Sequence, residues 1–81
     1  MLRMECNTTL SQEEVARRLR DFFGESGLGL TLQSESPQCL SFEGGGGYVT
    51  ATVCPEGEEV RVELVTQEWD THIKRFCKEL L

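Results

Sequence analysis

The sequence predicts a two-layer α+β domain: one five-stranded antiparallel sheet with two helices on one face, in the element order β-α-β-β-β-β-α. Three observations predict it. Residues 38–66 (QCLSFEGGGGYVTATVCPEGEEVRVELVT) alternate through three stretches, Leu40 and Phe42, then Val49, Ala51 and Val53, then Val60, Val62 and Leu64. That period of two marks strands with one buried face. Two flanking segments place their apolar residues at helical spacing, Val15, Leu19, Phe22 and Phe23 in one and Trp69, Ile73, Phe76, Cys77 and Leu80 in the other. Only one sheet face is apolar, so both helices must cover that face.

The elements follow in order. Leu2, Met4 and Cys6 alternate with Arg3, Glu5 and Asn7, which predicts a first strand over 2–7. Ser11-Gln12-Glu13-Glu14 has the form of a capping box, in which the Ser11 hydroxyl takes the N–H of Glu14 and the Glu14 carboxylate returns to the N–H of Ser11. Leu10 and Val15 are spaced as a hydrophobic staple, the helix runs to Phe23, and Gly24 follows as its stop. Leu28, Leu30 and Leu32 predict the second strand, and Glu35-Ser36-Pro37 a turn. The expected registers place Leu32 opposite Leu40, Leu30 opposite Phe42, Phe42 opposite Val49, Leu40 opposite Ala51, and, with Pro55–Glu58 as the turn, Val53 opposite Val60. Thr66 is the expected N-cap of a last helix over 67–80, acidic at its start and basic later. Placing the first strand beside the fifth gives the order 1-5-4-3-2. The expected core is Met4, Leu19, Phe22, Leu30, Phe42, Val49, Ala51, Val53, Val62, Leu64, Trp69, Ile73 and Phe76.

Composition narrows the partners. The 81 residues make one domain of 1–81, with 14 acidic against 8 basic side chains and a formal net charge of −6. An acidic surface argues against nucleic acid as partner, and no apolar run is long enough to span a membrane. The opening MLRMECNTT lacks an apolar core of the signal-peptide kind, so the expected location is the cytoplasm and the four cysteines are expected as reduced thiols. Their spacing matches no zinc motif.

The order β-α-β-β-β-β-α resembles one half of the TATA-box-binding protein fold. The stretches ECNTTLSQEEVARRLRDF and VELVTQEWDTHIKRFCKEL also make the chain similar in layout to the helix-grip (START-related) superfamily. The second resemblance implies a hydrophobic ligand held between the sheet and the last helix, near Trp69 and His72. The first implies DNA on the concave sheet face, but that use needs a duplicated unit, and the matching face here is acidic.

Candidate chemistry is sparse. Gly44–Gly47 is followed by a strand and has no Gly-Lys-Ser/Thr, so it predicts a hairpin turn with a mobile or contacting tip, not a phosphate loop. His72 stands alone, with no nucleophile paired to it. Cys6 and Cys77 fall on apolar faces and read as packed thiols. Cys39 and Cys54 fall on the polar face as diagonal neighbours, about 7–8 Å apart at Cα, which is long for a disulfide. No catalytic residue, metal site or cofactor is expected. The candidate binding face is the polar side of the sheet, with Cys39, Ser41, Tyr48, Thr50, Thr52, Cys54, Arg61 and Glu63. On that face Tyr48 is expected opposite Val65, Thr50 opposite Glu63 and Thr52 opposite Arg61. The expected role is a non-enzymatic interaction module that uses this face or an edge strand, with another protein or a second copy as partner. The alternative is a small hydrophobic-ligand binder.

Overall fold

The computed structural model describes residues 1–80. Its elements are β1 (Leu2–Thr8), α1 (Gln12–Phe23), β2 (Thr31–Ser36), β3 (Cys39–Gly44), β4 (Gly47–Glu56), β5 (Glu59–Gln67) and α2 (Asp70–Leu80). The sheet is antiparallel with order β1-β5-β4-β3-β2. α1 lies over β3 and β4, and α2 over β1 and β5.

The predicted apolar faces form the core. Leu19, Leu30, Phe42, Val49, Ala51, Val53, Val62, Leu64, Ile73 and Phe76 are buried, together with Val15, Phe23, Leu40, Val60 and Leu80. Met4, Phe22 and Trp69 differ from expectation: they pack at the margin and stay partly exposed. Phe22 meets Phe76 edge-on at 5.4 Å, joining the two helices, and Arg75 covers its outer side at 4.9 Å.

Ser11 caps α1, its Oγ accepting from the Glu14 N–H at 3.2 Å. The reciprocal half of the capping box is absent. The Glu14 carboxylate instead accepts from Arg17 and Arg18 one turn on, because two guanidiniums outcompete one backbone N–H. The Arg17 hydrogen bonds, then those of Arg18, hold the Glu14 pKa down at about 2. A carboxylate with a depressed folded-state pKa stabilises above its unfolded value and loses that contribution as pH falls through the folded one. Unfolding midpoints should therefore decline between about pH 4.5 and pH 2, and Glu14→Gln should flatten that part of the profile. Ser11→Ala should lower stability by about 1 kcal/mol in denaturant titration.

Three boundaries or registers move, each for a local reason. Leu28 to Leu30 are not strand. They fold back on the end of α1, with Leu28 N–H donating to Phe22 and Leu30 N–H to Phe23, both at 2.9 Å, around Gly29 at φ 84°. β2 starts later and runs through Glu35 and Ser36, so Leu32 faces Phe42, not Leu40. A bulge between Leu32 and Ser34 then puts Glu35 opposite Leu40. That swings Glu35 to the helix side, where it binds Arg20 at 2.6 Å. The β4–β5 turn is shorter than four residues: Glu56 pairs Glu59 around Gly57 (φ 63°) and Glu58, matching a two-residue hairpin with glycine first. Val53 thus faces Val62, Ala51 faces Leu64 and Val49 faces Thr66. This shift is of two residues, which preserves which face each side chain occupies.

Thr66 is not a helix cap. It ends buried in β5, its hydroxyl donating to the Tyr48 carbonyl at 2.7 Å. Glu68 then takes a left-handed φ of 83°, and the Trp69 carbonyl accepts the first helical bonds from His72 and Ile73. α2 therefore begins three residues later than its periodicity suggests. Cys6 and Cys77, expected as free packed thiols, form a disulfide, with Cα atoms 5.9 Å apart. β1 and α2 run side by side from the Leu2 end to Thr8, whose hydroxyl donates to the Leu80 carbonyl at 2.9 Å. That alignment brings the two sulfurs together.

Candidate functional site: the open sheet face

The strand face away from the helices has no covering layer among the described residues. Cross-strand register arranges it in rows. One row runs Arg3, Val65, Thr50, Ser41; the next Glu5, Glu63, Thr52, Cys39; the next Asn7, Arg61, Cys54; and at the other end Gln67, Tyr48, Glu43, Thr31. The expected partners shift with the β4–β5 turn: Tyr48 faces Gln67, Thr50 faces Val65, Thr52 faces Glu63, and Cys54 faces Arg61. All eight residues expected on the binding face do lie on it, and all are half-exposed.

The rows divide the face by charge. Its centre holds Cys39, Ser41, Thr50, Thr52, Cys54 and Val65, small side chains with no Asp, Glu, Lys or Arg among them. The Ser41 and Thr50 hydroxyls are hydrogen-bonded to each other at 3.5 Å, either one able to donate. The β1–β5 border is charged. Arg61 lies 3.1 Å from Glu63 and 3.6 Å from Glu5, and it also binds Glu56. Its Nε is close to Glu63 but is not aligned for a hydrogen bond. The charge of Glu56 raises the Arg61 pKa; partial burial opposes this, while Cys54 and Glu63 reinforce it. Arg3 reaches Glu63 at 2.7 Å.

Cys39 faces Thr52, as expected, so Cys39 and Cys54 are diagonal neighbours; both are free thiols. Among the described residues no group of three or more His, Cys, Asp and Glu is placed to hold a metal ion. His72 lies in the helix layer, on the other side of the sheet from both thiols, so the fold does not assemble a cysteine–histidine pair. Its ring meets Trp69 edge-on at 5.1 Å, and its buried Nδ1 has no hydrogen-bond partner.

Trp69 has a use that its sequence position does not reveal. Its Nε1 donates to the Gly44 carbonyl at 3.0 Å, and its ring lies on Gly45. A Cβ at Gly45 would come within 2.6 Å of that ring. Gly44 pairs Gly47, and Gly45 and Gly46 carry φ of 61° and 82°, the two positive values that a type I′ turn requires. The glycine run is therefore a hairpin tip held by contact with Trp69, the second of the two states, mobile or contacting, that the sequence allows. Two of its glycines supply backbone geometry, and Gly45 also supplies room for an indole.

Among the described residues no helix is long and apolar enough to cross a membrane. No protein-family model matches this chain, and no curated protein is similar to it.

Proposed function

We propose that this chain is a non-enzymatic interaction module that docks a protein partner on the open face of its sheet. The central strip of small, uncharged, half-exposed side chains supports this reading. Cys39, Ser41, Thr50, Thr52, Cys54 and Val65 offer hydrogen-bonding and apolar contact without the desolvation cost of charge, and Arg61, Glu63 and Glu5 form a charged border. Protein interfaces share that division, with a charge-poor centre and a polar rim. The net charge of −6 favours a basic partner surface around that rim.

Tagged chain should recover such a partner from cells of its own source. Recovery should survive Glu25→Lys, at an exposed loop on the far side, and fail with Thr50→Arg, which puts a long cation in the centre of the strip. Equal recovery by both variants overturns the reading.

The helix-grip alternative places a hydrophobic ligand under α2. There Ile73, Phe76 and Leu80 are buried in the common core with Val62 and Leu64, and Trp69 is engaged at the hairpin. Added long-chain fatty acid should leave Trp69 emission unchanged; saturable quenching would favour the ligand reading. A cytoplasmic location carries a consequence for the Cys6–Cys77 bond. Cellular thiols would keep the pair reduced there, and the disulfide would belong to oxidising conditions.

A further inference from the structure

We propose that β1 pairs antiparallel with β1 of a second copy, across a twofold axis at Met4, so that two sheets become one. This rests on the reading of the chain as an interaction module and names a partner for one of its edges. The sheet has two edges, β1 and β2. β2 carries a bulge and diverts Glu35 to the helix side, features that spoil an edge for pairing. β1 pairs β5 without a break from Leu2 to Thr8, and its other side has no neighbouring strand among the described residues.

Symmetry limits the choice of register. A twofold axis perpendicular to the sheet keeps the helices of both copies on one side and must pass through a residue that faces itself. An axis at Arg3 sets Arg3 against Arg3, and an axis at Glu5 sets Glu5 against Glu5, like charges that oppose pairing. An axis at Met4 sets Arg3 of each copy opposite Glu5 of the other. On the helix side it joins Met4 to Met4 and Leu2 to Cys6, partly buried apolar groups at the margin of the core.

The charge pattern within one copy leaves those pairs wanting. Glu5 faces Glu63 across β5, a like-charge pair. Its nearest cation, Arg61, stands 3.6 Å away and is shared with Glu56 and Glu63. The Glu5 side chain is 52% exposed and that of Arg3 66%, so both can turn outward. A guanidinium has five N–H donors, and Arg3 has one hydrogen bond to Glu63. The helices permit the join as well. α2 lies over β1 and β5. At a strand spacing of about 4.8 Å, the two α2 helices of a joined sheet come roughly 10 Å apart, a normal packing distance.

The test is sedimentation equilibrium on the wild-type chain and on charge-swapped variants, each checked by circular dichroism for an unchanged fold. The wild type should form a dimer. Arg3→Glu and Glu5→Arg should each weaken self-association by about tenfold or more, because each sets like charges face to face. Mixing the two single variants should restore association as a heterodimer, since every facing pair is then opposite in charge, and the Arg3→Glu/Glu5→Arg double variant should dimerise like the wild type. A monomeric wild type, single variants that dimerise undiminished, or a mixture that stays monomeric overturns the proposal. A monomeric wild type whose partner capture is still lost with Thr50→Arg overturns the β1 pairing alone. An intact dimer whose capture ignores Thr50→Arg overturns the open-face reading alone.

Discussion

Phe42→Ala should destabilise the protein by about 3–5 kcal/mol. Phe42 is fully buried, stands between Leu32 and Val49 in the sheet, and packs against Phe23 at 5.8 Å between ring centres. Truncation removes the ring from the point where α1 meets β3, and the flanking strand residues Leu40 and Val49 belong to a sheet that cannot collapse into the gap. A domain of this size has a total stability of about 5–15 kcal/mol, so the variant should sit near its unfolding midpoint in dilute denaturant. Urea titration followed by far-UV circular dichroism reads the effect. A midpoint close to wild type would contradict the packing described for β3.

Breaking the Cys6–Cys77 disulfide should have an effect of similar size. The bond ties β1 to α2 across a sequence separation of 71 residues, nearly the whole chain. Chain entropy for a loop of that length gives about 4 kcal/mol, a large share of what so small a core can supply. Denaturant titration with and without reductant should show this drop in the wild type, and the Cys6→Ala/Cys77→Ala variant should match the reduced form in both buffers. Identical midpoints in the wild type, with and without reductant, would mean that the ends of the chain are held by packing alone. Reduction should also loosen β1, the edge proposed to meet a second copy, and so couple self-association to redox conditions.

The neighbours of β2 through β5 were readable from the short turns that join them, and the face occupied by the residues of β1, β3, β4 and β5 was readable because it depends on parity. Val49, Ala51 and Val53 must point one way, and Thr50, Thr52 and Cys54 the other, wherever the neighbouring strand sits. Register was less readable. The sequence around Gly57 permits turns of different length, and a slip of two residues keeps every side chain on its own face, with Ala51 and Val53 still opposite apolar partners and Val49 opposite Thr66. Only the chain geometry selects Val53 opposite Val62. The bulge in β2 left no mark in the alternation of Leu28, Leu30 and Leu32, yet it explains why Glu35 reaches Arg20. The start of α2 was misplaced because Trp69 fits the helical stripe while its ring is committed to Gly45 and Gly44. The disulfide was missed because the expected cytoplasmic location implied reduced thiols, and no local spacing signals a bond between residues at opposite ends of the chain. The members of the candidate face were legible by the same parity rule. The separation of a neutral centre from a charged border was not, since it requires the cross-strand rows.

Alkylation of the folded protein by iodoacetamide, located by peptide mass spectrometry, tests the division into a helix-covered face and an open face most directly. Cys39 and Cys54, half-exposed on the open face, should be modified, while Cys6 and Cys77 should remain unmodified until the protein is reduced. A bulkier maleimide on Cys39 and Cys54 should then leave the circular dichroism spectrum intact and abolish partner capture. Protection of Cys39 and Cys54, or labelling of Cys6 and Cys77 before reduction, would contradict the arrangement. Undiminished capture by the maleimide-labelled protein would contradict the role assigned to its open face.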